Sequence, residues 1–136
     1  MRCMGLDLGD RWIGVALSDP GGILASPFTV IERKSDGQAL AAIADIIDKE
    51  QVGIIIVGLP LSLDGTLSGQ AEKVKEFTDK LAEHIKTPME FRDERLTTVM
   101  AQRLKRASGG KRGRGKTRDD SQAAAIILQS YLEEGR

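Results

Sequence analysis

An aspartate inside an apolar strand limits the folds open to this chain more than any other feature of the sequence. Residues 2–8 have the composition of a buried strand, and Asp7 stands near the end of it. An ionised carboxylate is costly in such a place unless a positive group faces it. The turn 9–11 and the apolar run 12–18 complete a predicted β-hairpin. The rest of the chain must therefore supply a partner for Asp7.

Composition narrows the class of protein. The chain has 136 residues, with 40% apolar and 29% charged residues, so we expect one globular domain spanning residues 1–136 and no membrane span. The opening residues lack the pattern of a secretory leader, so we expect no export. The single cysteine, Cys3, excludes an intrachain disulfide and favours a reducing, cytoplasmic setting.

The net charge of zero hides an asymmetry. Seven basic residues and no acidic residue lie between Lys105 and Arg118. The rest of the chain is correspondingly acidic. Positive charge gathered in one segment indicates an anionic partner.

The order of predicted elements defines the fold class. Three strands at 2–8, 12–18 and about 23–31 form an antiparallel meander, because 19–22 is a strong turn signal. Helical periodicity then predicts a helix at 36–50, capped by Ser35 or Asp36. The remaining elements are a strand at 53–58, a loop at 59–66, a helix at 68–84, a strand at 88–93, a helix at 97–106, a mobile Gly-rich loop at 108–117 and a closing helix at 119–134.

This alternation predicts a mixed α/β sheet with the first strand at its centre. In such sheets, ligands gather outside the carboxyl ends of the strands. Asp7, Gly58 and the pair Asp93-Glu94 all stand near strand ends of that kind. We therefore expect them to converge on one edge of the sheet.

Four stretches of sequence give a specific resemblance. They are Gly5-Leu6-Asp7-Leu8-Gly9 with Ile13-Gly14-Val15-Ala16 and Ser18-Asp19, Val57-Gly58-Leu59-Pro60 with Asp64-Gly65, Asp93-Glu94-Arg95-Leu96-Thr97-Thr98, and Asp120 followed by Ala123-Ala124 and Ile127-Leu128-Gln129-Ser130-Tyr131-Leu132. In this order the chain resembles the YqgF family, also called RuvX. The resemblance implies a ribonuclease H-like fold whose five strands are ordered 3-2-1-4-5. It also implies a metal-dependent endonuclease that processes the 5′ end of pre-16S rRNA, with Holliday-junction resolution as the alternative.

The resemblance further implies a catalytic acidic triad of Asp7, Glu94 and Asp120. This triad would bind two metal ions, either Mg²⁺ or Mn²⁺. Carboxylates brought together repel each other unless cations separate them, and oxygen ligands suit these hard metals. Two of these acids also have interpretations that involve no catalysis. Asp119 or Asp120 can cap a helix, and Asp93-Glu94 can be turn charges. The choice of Asp120 over Asp119 depends on a one-residue register.

The basic segment is the predicted grip on the substrate, which is RNA or branched DNA. Its side chains suit phosphate contacts, as do those of Arg11 and Arg95 beside the acids; the segment comprises Lys111, Arg112, Arg114, Lys116 and Arg118. A solvated loop remains the alternative for the segment, and a counter-ion role for the two arginines. Trp12 stands where the family commonly has a basic residue, and it either stacks on a base or packs beside the hairpin.

Two further classes of function share features with this sequence. An ATPase of the actin and sugar-kinase type also begins with an apolar strand, Asp and Gly, but it needs two lobes and this chain has the length of one. A non-catalytic nucleic-acid-binding or ribosome-associated module is the other class, and the three acids argue against it. The sequence leaves open whether the chain is a monomer or a homodimer.

Overall fold

A five-stranded mixed sheet forms the centre of the molecule. The computed structural model describes residues 1–60, 69–93 and 120–134. Its strands are β1 (Arg2–Leu8), β2 (Trp12–Ser18), β3 (Ala25–Glu32), β4 (Val52–Leu59) and β5 (Met89–Asp93). They are ordered β3-β2-β1-β4-β5. The first three are antiparallel, and β4 runs parallel to both β1 and β5. The predicted sheet, its strand order and the central place of β1 are confirmed.

Helices cover both faces of this sheet. They are α1 (Asp36–Glu50), α2 (Gly69–His84) and α3 (Asp120–Glu134). The predicted helix at 97–106 and the predicted loops at 59–66 and 108–117 lie wholly or largely outside the described residues. In the ranges that are described, no helix combines the length and the apolar character that crossing a membrane requires.

The two faces of the sheet carry side chains of different size. Large apolar residues of β1 and β2, such as Leu6, Ile13 and Val15, pack with α1 and α2 in one core. On the opposite face, Ala16 of β2 and Ile56 of β4 pack against α3. Strand residues alternate between faces, so the hairpin presents bulk to one layer of helices and small residues to the other. That difference lets α3 approach the sheet closely.

The start of β3 differs from the prediction. Strand pairing begins at Ala25, two residues after the expected Ile23. The cause is Asp19, whose carboxylate accepts hydrogen bonds from the backbone N–H groups of Ile23 and Leu24, both at 2.8 Å. These bonds hold the pair in the turn and leave their side chains 58% and 62% exposed. Apolar composition alone made them resemble strand residues.

Ser35 is the N-cap of α1. Its hydroxyl accepts the backbone N–H of Gln38 at 3.1 Å, which satisfies one of the unpaired donors at a helix start. Asp36, the other candidate, begins the helix and accepts hydrogen bonds from Lys80 of α2 and from Arg33. The bond from Lys80 and then that from Arg33 lower the pKa of Asp36. This pair of contacts ties α1 to α2 at the edge of the sheet where β1 ends.

Candidate active site

Two predicted acids meet at the carboxyl end of β1. Asp7 is paired with Gly14 of β2 and lies on the face of the sheet that α3 covers. Asp120 is the first residue of α3. The backbone of Asp120 lies directly over Gly14, so the helix begins above the strand position next to Asp7. The tertiary structure thereby brings together two acids that stand more than a hundred positions apart in the sequence.

The ionisation of Asp7 reflects this meeting. Burial of the carboxyl, and secondly the negative charge of Asp120, raise the pKa of Asp7 from 3.8 to about 6. Both effects disfavour the charged form. Perturbed carboxyls of this kind occur preferentially at functional sites. A cation placed next to Asp7 would therefore stabilise its ionised form.

Two glycines of the hairpin allow α3 to lie so close. A Cβ added at Gly14 would overlap the carbonyl of Asp120 and would lie 2.8 Å from the backbone nitrogen of Ser121. One added at Gly5 would lie 2.6 Å from the carbonyl oxygen of Ala124. Gly14 thus makes room for α3, and Gly9 serves the tight turn, where a Cβ would lie 2.8 Å from the carbonyl oxygen of Trp12.

Side chains in the second half of α3 bind it to β5 and to the start of β3, the two outer strands of the sheet. The Gln129 amide accepts the N–H of Ala25 at 2.8 Å and donates to the carbonyl of Ile23 at 3.1 Å. Arg92 of β5 donates to the Ser130 hydroxyl at 2.7 Å, and its guanidinium binds the carboxylate of Glu134 at 2.7 and 3.2 Å. These contacts fix the direction of the helix, and with it the position of Asp120.

The donor set fits a hard divalent cation. Asp7 and Asp120 offer only carboxylate oxygens, which Mg²⁺ and Mn²⁺ prefer, and their mutual repulsion is relieved by a cation between them. Within residues 1–60, 69–93 and 120–134, no three or more acidic, His or Cys side chains converge closely enough to hold a metal ion. The third predicted ligand, Glu94, lies outside those ranges. It would follow directly on Asp93, the last residue of β5.

The other predicted site residues divide into two groups. Arg11 is exposed in the hairpin turn, 3.6 Å from Glu32 and with its guanidinium 5.4 Å from the centre of the Trp12 ring. Its ion-pair partner is therefore Glu32, and its contact with the substrate stays a prediction. The remaining predicted positions lie outside the described residues: Glu94, Arg95, Lys111, Arg112, Arg114, Lys116, Arg118 and the alternative ligand Asp119.

Sequence reasoning missed the role of Arg33. Its side chain, 18% exposed, donates to the carbonyl oxygen of Gly9 at 2.7 Å and lies 4.5 Å from the centre of the Phe77 ring. Arg33 thus anchors the turn that follows Asp7 to the layer of α1 and α2. The signal available in the sequence was a basic residue just before the cap of α1, which is too common a pattern to single out.

The raised pKa of Asp7 gives a pH-dependent prediction for metal-free protein. Folding raises this pKa from 3.8 to about 6, so an ionised Asp7 destabilises the fold above pH 6, and this penalty decreases below pH 6 and is lost only below about pH 4. The free energy of unfolding of Asp7→Asn should therefore exceed that of the parent by about 3 kcal/mol at pH 7.5 and by only about 1 kcal/mol at pH 4.5. Urea unfolding of both proteins in EDTA measures the difference. Acids with lowered pKa values, such as Asp36, titrate in both proteins and cancel. A gap that does not change with pH would contradict the assignment.

Solved structures share this fold. Thermus thermophilus RuvC, in complex with a Holliday junction substrate, superposes with a TM-score of 0.66 at 14% identity, over 99% of this chain and 95% of that one. The fowlpox virus resolvase, in complex with Holliday junction DNA, superposes with a TM-score of 0.55 at 13% identity, over 98% of each chain. The chain therefore has a ribonuclease H-like fold, and it carries two acids, Asp7 and Asp120, close together at the carboxyl end of β1.

Sequence comparison defines the family. The chain matches the family described as "RuvX: Holliday junction resolvase" over residues 1–134, and it belongs to that family. A Dehalococcoides mccartyi protein is 46% identical over 93% of this chain and 94% of its own length. A Clostridium botulinum protein is 47% identical over 98% of this chain and 97% of its own length. Both carry the name "Putative pre-16S rRNA nuclease". The predicted family and the predicted nuclease class are confirmed.

Proposed function

We propose that this chain is a metal-dependent endonuclease that hydrolyses phosphodiester bonds in a structured ribosomal RNA precursor. Asp7, Glu94 and Asp120 are its catalytic acids, and residues 1–136 act as one cytoplasmic nuclease domain. The observation that carries the proposal is the meeting of Asp7 and Asp120 at a buried place, where burial and then the charge of Asp120 raise the pKa of Asp7 to about 6. Such a meeting is unfavourable for folding alone, so we infer that it is retained for function.

The chain's own residues would hold the reacting groups in place. Asp7 is fixed by the pairing of β1 with β2 and β4, and Asp120 by the packing of α3 over Gly14. Glu94 would complete the set from the end of β5. Two Mg²⁺ or Mn²⁺ ions held by these acids would activate a water and stabilise the departing oxygen of the phosphodiester. No nucleophilic side chain is required, and the acids act by holding charge at a rigid edge.

Contacts to the substrate would come from basic side chains around this edge. Arg11 is exposed in the turn after β1, and Arg95 follows Glu94 in the sequence. The segment with Lys111, Arg112, Arg114, Lys116 and Arg118 leads into Asp120 along the chain. Such contacts fix the backbone of a nucleic acid without reading its bases. Selection of the cleavage position would then depend on the shape of the RNA.

The names of the relatives favour RNA as the substrate, since proteins 46% and 47% identical over nearly the whole chain are named for pre-16S rRNA. Cleavage of Holliday junctions is the second candidate, because the family description names it and RuvC shares the fold. Symmetric cleavage of a four-way junction needs two active sites and hence two copies of this chain. The two candidates therefore differ in the assembly that they require.

A side-by-side cleavage assay tests the proposal. The substrates are a pre-16S rRNA fragment that includes the mature 5′ end, single-stranded RNA of the same composition, and a four-way DNA junction, each with Mg²⁺, with Mn²⁺ and in EDTA. We expect metal-dependent cleavage of the precursor at a defined position and little cleavage of the single strand. Preferential, symmetric cutting of the junction would favour the second candidate. Binding of all three without any cleavage would instead favour a non-catalytic module.

A further inference from the structure

A pocket on the other side of the same sheet edge has a charge opposite to its surroundings. It lies between the turn after β1, the start of α1 and residues 73–80 of α2, and has a volume of about 330 Å³. Four basic side chains line this pocket, hereafter the basic pocket: Arg33, Lys34, Lys73 and Lys80. Three acids line it as well: Asp10, Asp36 and Glu76.

The balance of charge in the basic pocket stands out against the rest of the described surface. The described residues carry ten Lys or Arg and seventeen Asp or Glu. Four of those ten basic residues surround this one pocket, with three of the seventeen acids. Elsewhere in the described chain, acids outnumber bases by fourteen to six. A polyanion that approaches this edge is therefore attracted here and repelled by its neighbourhood.

The groups of the basic pocket differ in their freedom to bind a ligand. Arg33 is committed to the carbonyl of Gly9, to Asp36 and to the ring of Phe77, so it forms a rigid floor. Lys73 is 63% exposed, and its ammonium lies 3.8 Å from Asp10. Lys34 is exposed at the rim. Because exposed ion pairs contribute little to stability, Lys73 can exchange the carboxylate of Asp10 for a phosphate at small cost.

The position of the basic pocket connects it to the paired acids. Asp10 in its wall is three residues beyond Asp7, a chain distance of about 10 Å at most. Measured along the axis of a duplex, where each strand has one phosphate per about 3.4 Å, that span corresponds to about three steps. Asp7 lies on the α3 side of the edge and the basic pocket on the α1 and α2 side. A backbone crossing the turn 9–11 would reach both.

We propose that the basic pocket binds backbone phosphates of the nucleic acid a few nucleotides from the bond to be cleaved, through Lys34 and Lys73, with Lys80 beside them. This assignment rests on the proposed nuclease function and adds a second contact region to it, on described residues distant in sequence from the basic segment that precedes Asp120. The contact gives affinity and register, without reading bases.

Binding measured without metal isolates this contact from catalysis. In EDTA, the affinity of the parent for the precursor rRNA fragment and for a four-way DNA junction is measured across a series of salt concentrations. The double variant Lys34→Ala/Lys73→Ala should bind roughly tenfold more weakly at low salt, and its plot of log affinity against log salt should be less steep by about 2. Lys34→Arg/Lys73→Arg, which keeps both charges, should restore most of the affinity and the slope.

A matched control removes two lysines at the opposite edge of the sheet. Lys49 stands near the end of α1 and Lys86 just before β5, so Lys49→Ala/Lys86→Ala makes the same change in net charge far from Asp7. This control should leave the salt slope unchanged. An equal effect from both double variants, or an unchanged slope in the Lys34/Lys73 variant, would overturn the proposal.

The outcomes separate this proposal from the proposed function. A parent that cleaves normally, together with a Lys34/Lys73 variant of unchanged slope, overturns the basic pocket alone. If the parent cleaves no substrate but the Lys34/Lys73 variant has a less steep salt dependence of binding, the basic pocket is supported and the nuclease function is overturned. Failure of the parent to bind either probe overturns both.

Discussion

Asp7→Asn should lower metal-dependent cleavage by about 10³-fold while the protein stays folded. The substitution keeps the size of the side chain but removes the negative charge that would hold a cation at the end of β1. Loss of several kcal/mol of transition-state stabilisation corresponds to a change of that size. Cleavage of the precursor rRNA fragment under saturating Mn²⁺ measures it. Because the uncharged side chain removes the repulsion from Asp120, the metal-free variant should be at least as stable as the parent at pH 7.5.

The control for Asp7→Asn is Asp48→Asn. Asp48 is an exposed acid of α1, so its variant has the same change in net charge at a place distant from the end of β1. It should cleave at the parental rate. Addition of Mn²⁺ should raise the melting temperature of the parent and of the control, and leave that of Asp7→Asn nearly unchanged. Parental activity in Asp7→Asn would remove Asp7 from the catalytic set.

Gly14→Ala should impair both stability and cleavage, although Gly14 carries no chemistry. The added methyl group would overlap the backbone of Asp120, and a backbone atom cannot rotate away as a side chain can. The first turn of α3 must therefore move, and we expect a loss of about 1 to 3 kcal/mol in the free energy of unfolding. A displacement of about 1 Å at a catalytic group can cost about 10²-fold in rate. Urea unfolding and precursor cleavage measure the two effects.

Two other glycines serve as controls for Gly14→Ala. Gly37 of α1 has no heavy atom within 4 Å of the place where a Cβ would stand, so Gly37→Ala should stabilise the protein by up to about 1 kcal/mol and leave cleavage unchanged. Gly5 meets α3 one turn further on, at Ala124. Gly5→Ala should lower stability with a smaller loss of cleavage than Gly14→Ala. Equal losses of cleavage in both α3-facing variants would mean that general loosening of the helix, and not displacement of Asp120, limits the rate.

Local patterns predicted the hairpin and α1 to the residue. The bounds 2–8, 12–18 and 36–50 coincide with β1, β2 and α1, because two apolar runs joined by a short turn admit few alternatives and because Ser35 caps the helix. The prediction failed at Ile23 and Leu24, where the carboxylate of Asp19 competes with strand pairing. Nor did it single out Phe77 of α2, whose ring is 1% exposed and lies beneath the guanidinium of Arg33.

The sequence by itself determined the class of sheet, the central place of β1 and the anomaly of Asp7, since periodicity and a misplaced charge are local properties of the chain. Only the tertiary structure decided what faces Asp7. The contact with Asp120 depends on how closely α3 approaches β2, and that distance is set by the absence of side chains at Gly5 and Gly14. The basic pocket likewise joins Lys34 and Lys73, which no pattern along the chain connects. Contacts between elements distant in sequence depend on packing, and packing is a property of the folded chain.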